Sequence, residues 1–327
     1  MRLLLLLVAL LAPTLSGCTL CWPRGGALEQ CGDDDDATAN DDDATTDDDD
    51  ATANDDDATT DDDDATSDDD DATGDDDDSM DDDGMLPIPT GTVGMGCDPN
   101  VASNCESDEM PVHEVTVAAF RMHAFEVTRA EFVDFLNDHG NVCEGENCLG
   151  VFAGPEITEL EGVWSVAEGL ENTAVVEVTW LGADAYCTWA GVRLPTEAEW
   201  ERAARGDDGR TYPWGEADVD CARAVFYDGC GEDGTWDVGE PRFAGRSPFG
   251  MWDMAGNAWE LVSDWYDSNY YGVSPDTNPS GPVVGNSKVA RGGGWNSNSA
   301  TMEAWSRWSR DLEYGGGTVG FRCAGDL

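Results

Sequence analysis

AYCTWAGVRLPTEAEWERAARG, residues 185–206, carries the local signals from which the fold is read. Ala183, Tyr186, Cys187 and Ala190 recur at helical spacing and stop at Gly191, which predicts a helix over Trp180–Ala190. Just beyond, Thr196-Glu197-Ala198-Glu199 has the form of a capping box. There the threonine side chain and the later glutamate satisfy backbone N–H groups reciprocally, so a helix should open and run to Gly206. A second box, Thr128-Arg129-Ala130-Glu131, precedes Phe132, Phe135 and Leu136 and predicts a helix ending at Gly140. Strand signals are shorter: Val112–Val117, Val175–Val178, Ala258–Val262 and Val319–Cys323. Glycine, proline, tryptophan and tyrosine fill the rest with little periodicity. The class expected is α+β, with low regular secondary structure and many ordered loops held by aromatic packing.

Upstream, the composition changes abruptly. DDDDATANDDDATT occurs at 33–46 and again at 47–60, and 29 aspartates lie between 33 and 83. Such a segment has almost nothing apolar to bury and repels itself, so residues 33–84 are expected to form a disordered linker. At about 3.3–3.6 Å per residue it could reach on the order of 170 Å. Carboxylates are calcium donors, but the repeat lacks the glycine-bounded loops that fix a coordination geometry, so a spacer is the reading taken. Before it, residues 1–17 have one early positive charge at Arg2 and a leucine-rich run too short to span a bilayer, as in a signal peptide. Leu15-Ser16-Gly17-Cys18 resembles the lipobox of bacterial lipoproteins. Cys18 would then be the lipidated residue of segment 18–32, and several acyl chains on it would give stable anchoring. Thr19, rather than aspartate, favours the outer membrane. The expected setting is therefore an exported chain anchored by lipid to the bacterial cell envelope.

The formal net charge is −54, from 70 acidic and 16 basic residues. A surface so acidic repels nucleic acid and anionic membrane surfaces, so nucleic acid is excluded as a partner. Setting Cys18 aside, ten cysteines remain, an even number that favours disulfides in an exported chain. Cys97 and Cys105, Cys143 and Cys148, and Cys221 and Cys230 are close enough for local pairing, and Cys21 and Cys31 flank the start of the linker. Cys187 and Cys323 are left without near neighbours.

Residues 85–327 then form one domain, and six motifs occur along it in order: FEVTRAEFVDFLN, AYCTWAGVRLPTEAEWERAARG, YPWGE, DMAGNAWELVSDWY, ARGGGW and VGFRCA. Together they resemble the sulfatase-modifying-factor domain, the family of the formylglycine-generating enzyme, over about residues 88–325. The resemblance implies a fold similar to C-type-lectin-like domains and a buried disulfide between Cys187 and Cys323. It also implies a structural calcium held by the Asp253 side chain, the Gly256 and Ala258 carbonyls and the Glu260 side chain. Carboxylates around a glycine bend suit the six to eight oxygens that calcium takes. Val225 follows Arg223-Ala224 where a second calcium site of the family uses asparagine.

The family enzyme oxidises a sulfatase cysteine to formylglycine with copper(I), O2 and two cysteines of its own. Those cysteines follow an RGGS turn. Aligned from Arg291, they fall on Ser297 and Met302, and the serine of the turn is Gly294. Soft thiolates hold copper(I) and a serine hydroxyl does not, so copper and oxidase chemistry are not expected and no catalytic residue is assigned. The expected role is a binding module for a protein or glycan at the cell surface, through a face of Trp295, Asn296, Ser297, Asn298, Trp305 and Trp308. The alternatives are a divergent formylglycine generator or other oxidoreductase acting on a protein cysteine, and a structural component of a surface complex.

Overall fold

The computed structural model describes residues 83–150, 154–227, 230, 234–239 and 244–327. Cys18, Cys21, Cys31 and nearly all of the aspartate repeat lie outside these residues.

Short strands pair early in the chain. β1 (Met85–Ile88) runs antiparallel to β4 (Phe120–His123), and the same β4 takes the last strand, β11 (Ala324–Asp326), on its other edge. Between them β2 (Gly91–Met95) and β3 (His113–Val117) make a separate antiparallel ladder. Among the described residues, the first and last strands are thus tied to one sheet. A second sheet of four strands has the order β10 (Val319–Gly320), β7 (Trp259–Trp265), β8 (Lys288–Arg291) and β9 (Arg307–Arg310), with β10 parallel to β7 and the others antiparallel. A hairpin of β5 (Ile157–Leu160) and β6 (Val163–Val166) completes the strands among the described residues.

Three helices form where local signals place them. α1 (Arg129–His139) opens on the Thr128 box with both reciprocal hydrogen bonds present, and Gly140 follows at φ +85°. α2 (Trp180–Trp189) is capped by Thr179, whose hydroxyl accepts from Gly182 N, with Ala190 closing it. α3 (Glu197–Arg205) opens on the Thr196 box. Phe132 and Phe135 of α1, Tyr186 of α2 and Phe321 meet with ring centroids 5.3–6.1 Å apart, mostly at steep interplanar angles. Burying each such side chain contributes roughly 1.5–3 kcal/mol. The Cys187–Cys323 disulfide lies inside this cluster and spans 136 residues. A loop that long places its entropic contribution near about 5 kcal/mol in chain-entropy models. Cys97–Cys105, Cys143–Cys148 and Cys221–Cys230 are also bonded.

Two expected strands are corrected. Val175–Val178 makes no ladder: Ala174 bridges Thr128 and Val178 bridges Leu149, one pair on each side. Glu177 between them stands at φ +67°, which turns the chain and ends any extended run. Val319–Cys323 is also not one strand. β10 stops at Gly320, and the chain then crosses to the first sheet as β11, carrying Arg322 and Cys323 through the core between them.

Candidate functional site

The site is built from two loops that share one tryptophan. The first is Asp253–Glu260. Asp253, Gly256 and Asn257 all take positive φ (+56°, +88° and +62°), which coils the loop tightly ahead of β7. Gly256 is required there: a Cβ would stand 2.5 Å from the Val225 carbonyl oxygen, which itself accepts from Asn257 N at 3.0 Å. Val225 thus serves as a backbone acceptor for this loop. Asn257 ties three segments together. Its side chain donates to Glu126 and accepts from Trp236 N, and its carbonyl accepts from Trp295 N.

The loop encloses an excess of negative charge. Asp253, Glu126 and Glu260 are all buried, with Arg322 as their buried cation. Glu260 takes a bidentate pair from Arg322, at 2.6 and 2.7 Å, and a third bond from the Trp200 indole N–H at 2.8 Å. Asp253 accepts from Gly239 N at 2.8 Å, and Glu126 accepts from Ala258 N at 2.9 Å. Burial pushes Asp253 up to about 6 and raises Glu126 well above the usual carboxylate range, with Asp253 and Glu260 adding to the shift at Glu126. Asp253, Gly256, Ala258 and Glu260 lie on this one loop, and Glu126, which sequence reasoning missed, joins them. Asp253 and Glu126, buried without an ion pair among the described residues, are hard oxygen donors of the kind calcium takes. Glu260 differs from expectation in having both oxygens already engaged, so the surplus charge lies on Asp253 and Glu126. A signal for Glu126 was present: it is a lone carboxylate between Phe125 and Val127, on the approach to a capping box.

The second loop leaves β8 at Arg291 and turns through Gly292 and Gly293 at φ +91° and +75°. A Cβ on Gly293 would stand 2.5 Å from the Met302 methyl carbon. Trp295 is half-buried and donates its indole N–H to the Gly317 carbonyl at 2.9 Å. Asn296 and Asn298 are exposed, and Asn298 caps the short 3-10 turn Ser299–Thr301. Ser297 is half-buried, and its hydroxyl oxygen accepts from Gly294 N and from the Trp259 indole N–H, both at 3.1 Å. Met302 is fully buried among Ala224, Phe226, Cys230 and Ala255. Trp305 is corrected as a face residue: it is buried, with the Arg205 guanidinium 5.1 Å from its ring centroid. Trp308 is half exposed and meets Trp259 edge-on at 5.8 Å.

Trp259 therefore belongs to both loops, following the acidic bend at one end and touching Ser297 and Trp308 at the other. Beside it opens a cleft of about 300 Å³ whose lining includes Trp259, Asn298, Trp308, Glu109 and Glu303. Beneath runs a buried ion-pair network. Arg307 holds Glu197 through two bonds of 2.8 and 2.9 Å, Arg291 bonds Glu201 at 2.5 Å and Glu197 at 3.2 Å, and Arg205 bonds Glu201 at 2.9 Å. This network fixes the strand ends from which the second loop departs.

Neither Ser297 nor Met302 offers a thiolate, and all eight cysteines among the described residues are in disulfides. These residues do not fit copper(I).

Residues 72–327 match the family described as "Sulfatase-modifying factor enzyme 1-like domain". The chain is 32% identical over 282 residues to the formylglycine-generating enzyme of Bos taurus, covering 74% of each chain. It is 31% identical over 282 residues to a Mus musculus protein named inactive C-alpha-formylglycine-generating enzyme 2, covering 73% of this chain and 85% of that one. Among solved structures, PvdO from Pseudomonas aeruginosa superposes with a TM-score of 0.59 at 26% identity, over 74% of this chain and 94% of PvdO. With this match over residues 72–327, the chain belongs to the sulfatase-modifying-factor family.

Proposed function

We propose that this chain is a non-oxidase binding module built on the formylglycine-generating-enzyme scaffold, engaging a protein or glycan at the cell surface. The observation that carries the reading is the pair Ser297 and Met302. One is a hydroxyl locked between two N–H donors, the other a thioether buried in an apolar cluster. Neither can act as the thiol that the family oxidation uses. What remains around them suits recognition: exposed Asn296 and Asn298, the half-exposed Trp308 and a cleft beside Trp259. A calcium ion at Asp253 and Glu126, with the Gly256 and Ala258 carbonyls and Glu260, would neutralise buried charge and rigidify the loop that presents Trp259. The lipobox at Cys18 and the aspartate repeat support export, lipid anchoring in the outer membrane and display of the domain away from the bilayer.

A second reading, a divergent formylglycine generator, draws support from the 32% identity with a protein of that name. The test is to incubate the protein with copper(I), O2 and a cysteine-containing sulfatase peptide and to seek the aldehyde by mass spectrometry. No conversion is expected while an active relative run in parallel turns over. Conversion would overturn the binding reading.

A further inference from the structure

The cleft beside Trp259 has a chemistry that the family resemblance does not assign. Its lining contains three carboxylic acids, the exposed Glu106 and also Glu109 and Glu303, the latter two each more than nine-tenths buried. Each of the buried two has one oxygen engaged: Glu109 accepts from Glu106 N at 2.9 Å, and Glu303 accepts from the Asn104 amide. The other oxygen of each has no partner among the described residues. No arginine or lysine among them forms an ion pair with either acid. Arg307 also lines the cleft, where its guanidinium is held by two bonds to Glu197, a carboxylate it shares with Arg291. Burial, with Asp108 and Glu303 adding, pushes the Glu109 carboxyl up to about 7, and burial raises Glu303 as well. These acids are held in a partly desolvated cavity, and neither is in an ion pair among the described residues, although the Arg291 charge partly offsets the shift at Glu109.

The walls are aromatic. Trp259 and Trp308 meet edge to face, and Arg310 already lies over both, 5.2 Å from the Trp308 centroid and 5.9 Å from that of Trp259. The indole pair therefore accepts a cation in this structure. A cavity with acidic groups lacking a partner and indole walls is complementary to a cation carried on an apolar stem, in contact with both.

We propose that this cleft binds a lysine or arginine side chain of the partner polypeptide, with Glu303 and Glu109 facing the charge and Trp259 and Trp308 packing against the stem. The proposal deepens the binding reading above and rests on it, and it selects a basic protein segment over a neutral glycan as the ligand.

The test is titration of the full chain, in calcium-containing buffer, with Nα-acetyl-lysine amide and Nα-acetyl-arginine amide, following the indole N–H signals of Trp259 and Trp308 by NMR. Nα-acetyl-norleucine amide serves as a neutral probe of the same length. Saturable shifts are expected at both indoles with the cationic probes, weakened at least about tenfold in Glu303→Gln and by added salt. Glu303→Gln retains an oxygen for Asn104, so an otherwise unchanged spectrum separates lost binding from lost folding. Equal shifts with norleucine amide overturn the proposal, as does the absence of a saturable shift or undiminished binding in Glu303→Gln. Those outcomes leave the non-oxidase reading to its own turnover test. If the norleucine probe or a neutral oligosaccharide shifts the indoles and the amines do not, the binding reading stands and the basic ligand is wrong.

Discussion

The loop Asp253–Glu260 and the loop Arg291–Met302 meet at Trp259, yet they stand in opposite relation to the family chemistry. In the first, the residues that the resemblance implies as calcium donors share one loop, Glu260 being engaged by Arg322, and the fold adds a further carboxylate, Glu126. In the second, both thiol positions are occupied by side chains that have structural work instead, Ser297 as a hydrogen-bond acceptor and Met302 as core. The difference teaches that the scaffold's conformation does not depend on its redox pair. The glycine turn, the Trp259 contact and the ion pairs below hold the second loop in place.

The largest expected effect tests the first loop. Arg322→Ala would leave Glu260 buried beside Asp253 and Glu126 with no cation, which costs about 3–5 kcal/mol by analogy with broken buried pairs. A fall of that size in chemical denaturation is expected, and a change under 1 kcal/mol would mean that water or an ion replaces the guanidinium freely. Next comes the calcium increment. Saturation at 100 times Kd would add about 2.7 kcal/mol to stability. Asp253, with its pKa raised to about 6 from an unfolded value near 3.8, binds more protons folded than unfolded between those values. Its contribution is therefore full below about 4 and is lost as pH rises through about 6. Calcium competes with that proton, so the Tm gain on calcium addition over EDTA should be larger at pH 7 than at pH 5. An equal gain at both would place the ion elsewhere.

Crossing to the second loop, Ser297→Ala removes the acceptor shared by Gly294 N and the Trp259 indole. Leaving buried donors unsatisfied should cost about 1–3 kcal/mol and shift the Trp259 indole signal. If stability and the signal both stay put, the two loops are not coupled through this hydroxyl.

What could be read beforehand depended on how local the determining interaction is. The boxes at Thr128 and Thr196 satisfy their own backbone groups within four residues, so α1 and α3 were legible without partners. The burial of α3 was not. Glu197, Glu201, Arg202 and Arg205 are all charged, yet each is buried, and Arg291 and Arg307 reach Glu197 and Glu201 from about a hundred positions away. Trp305 failed for the same reason. In a run of tryptophan, serine and arginine without periodicity, only the tertiary contact with Arg205 distinguishes it from exposed Trp308. Glu177 shows the limit for strands: Val175–Val178 has the composition of one, but a positive φ in its middle prevents continuous pairing.

The smallest effect is the most discriminating for the second loop. Met302→Leu conserves volume and apolarity at a fully buried position, and such exchanges usually cost less than about 1.5 kcal/mol. It abolishes the thioether completely. If Met302 is core, as its packing against Phe226, Ala255 and the Gly293 turn implies, the variant should fold, keep the Trp308 indole signal and leave ligand binding at the cleft unchanged. If the thioether contributes chemistry, binding of copper(I) or turnover should fall far more than stability does. That split, a large functional loss with less than about 1.5 kcal/mol of destabilisation, is the result that would return the second loop to the family's redox role.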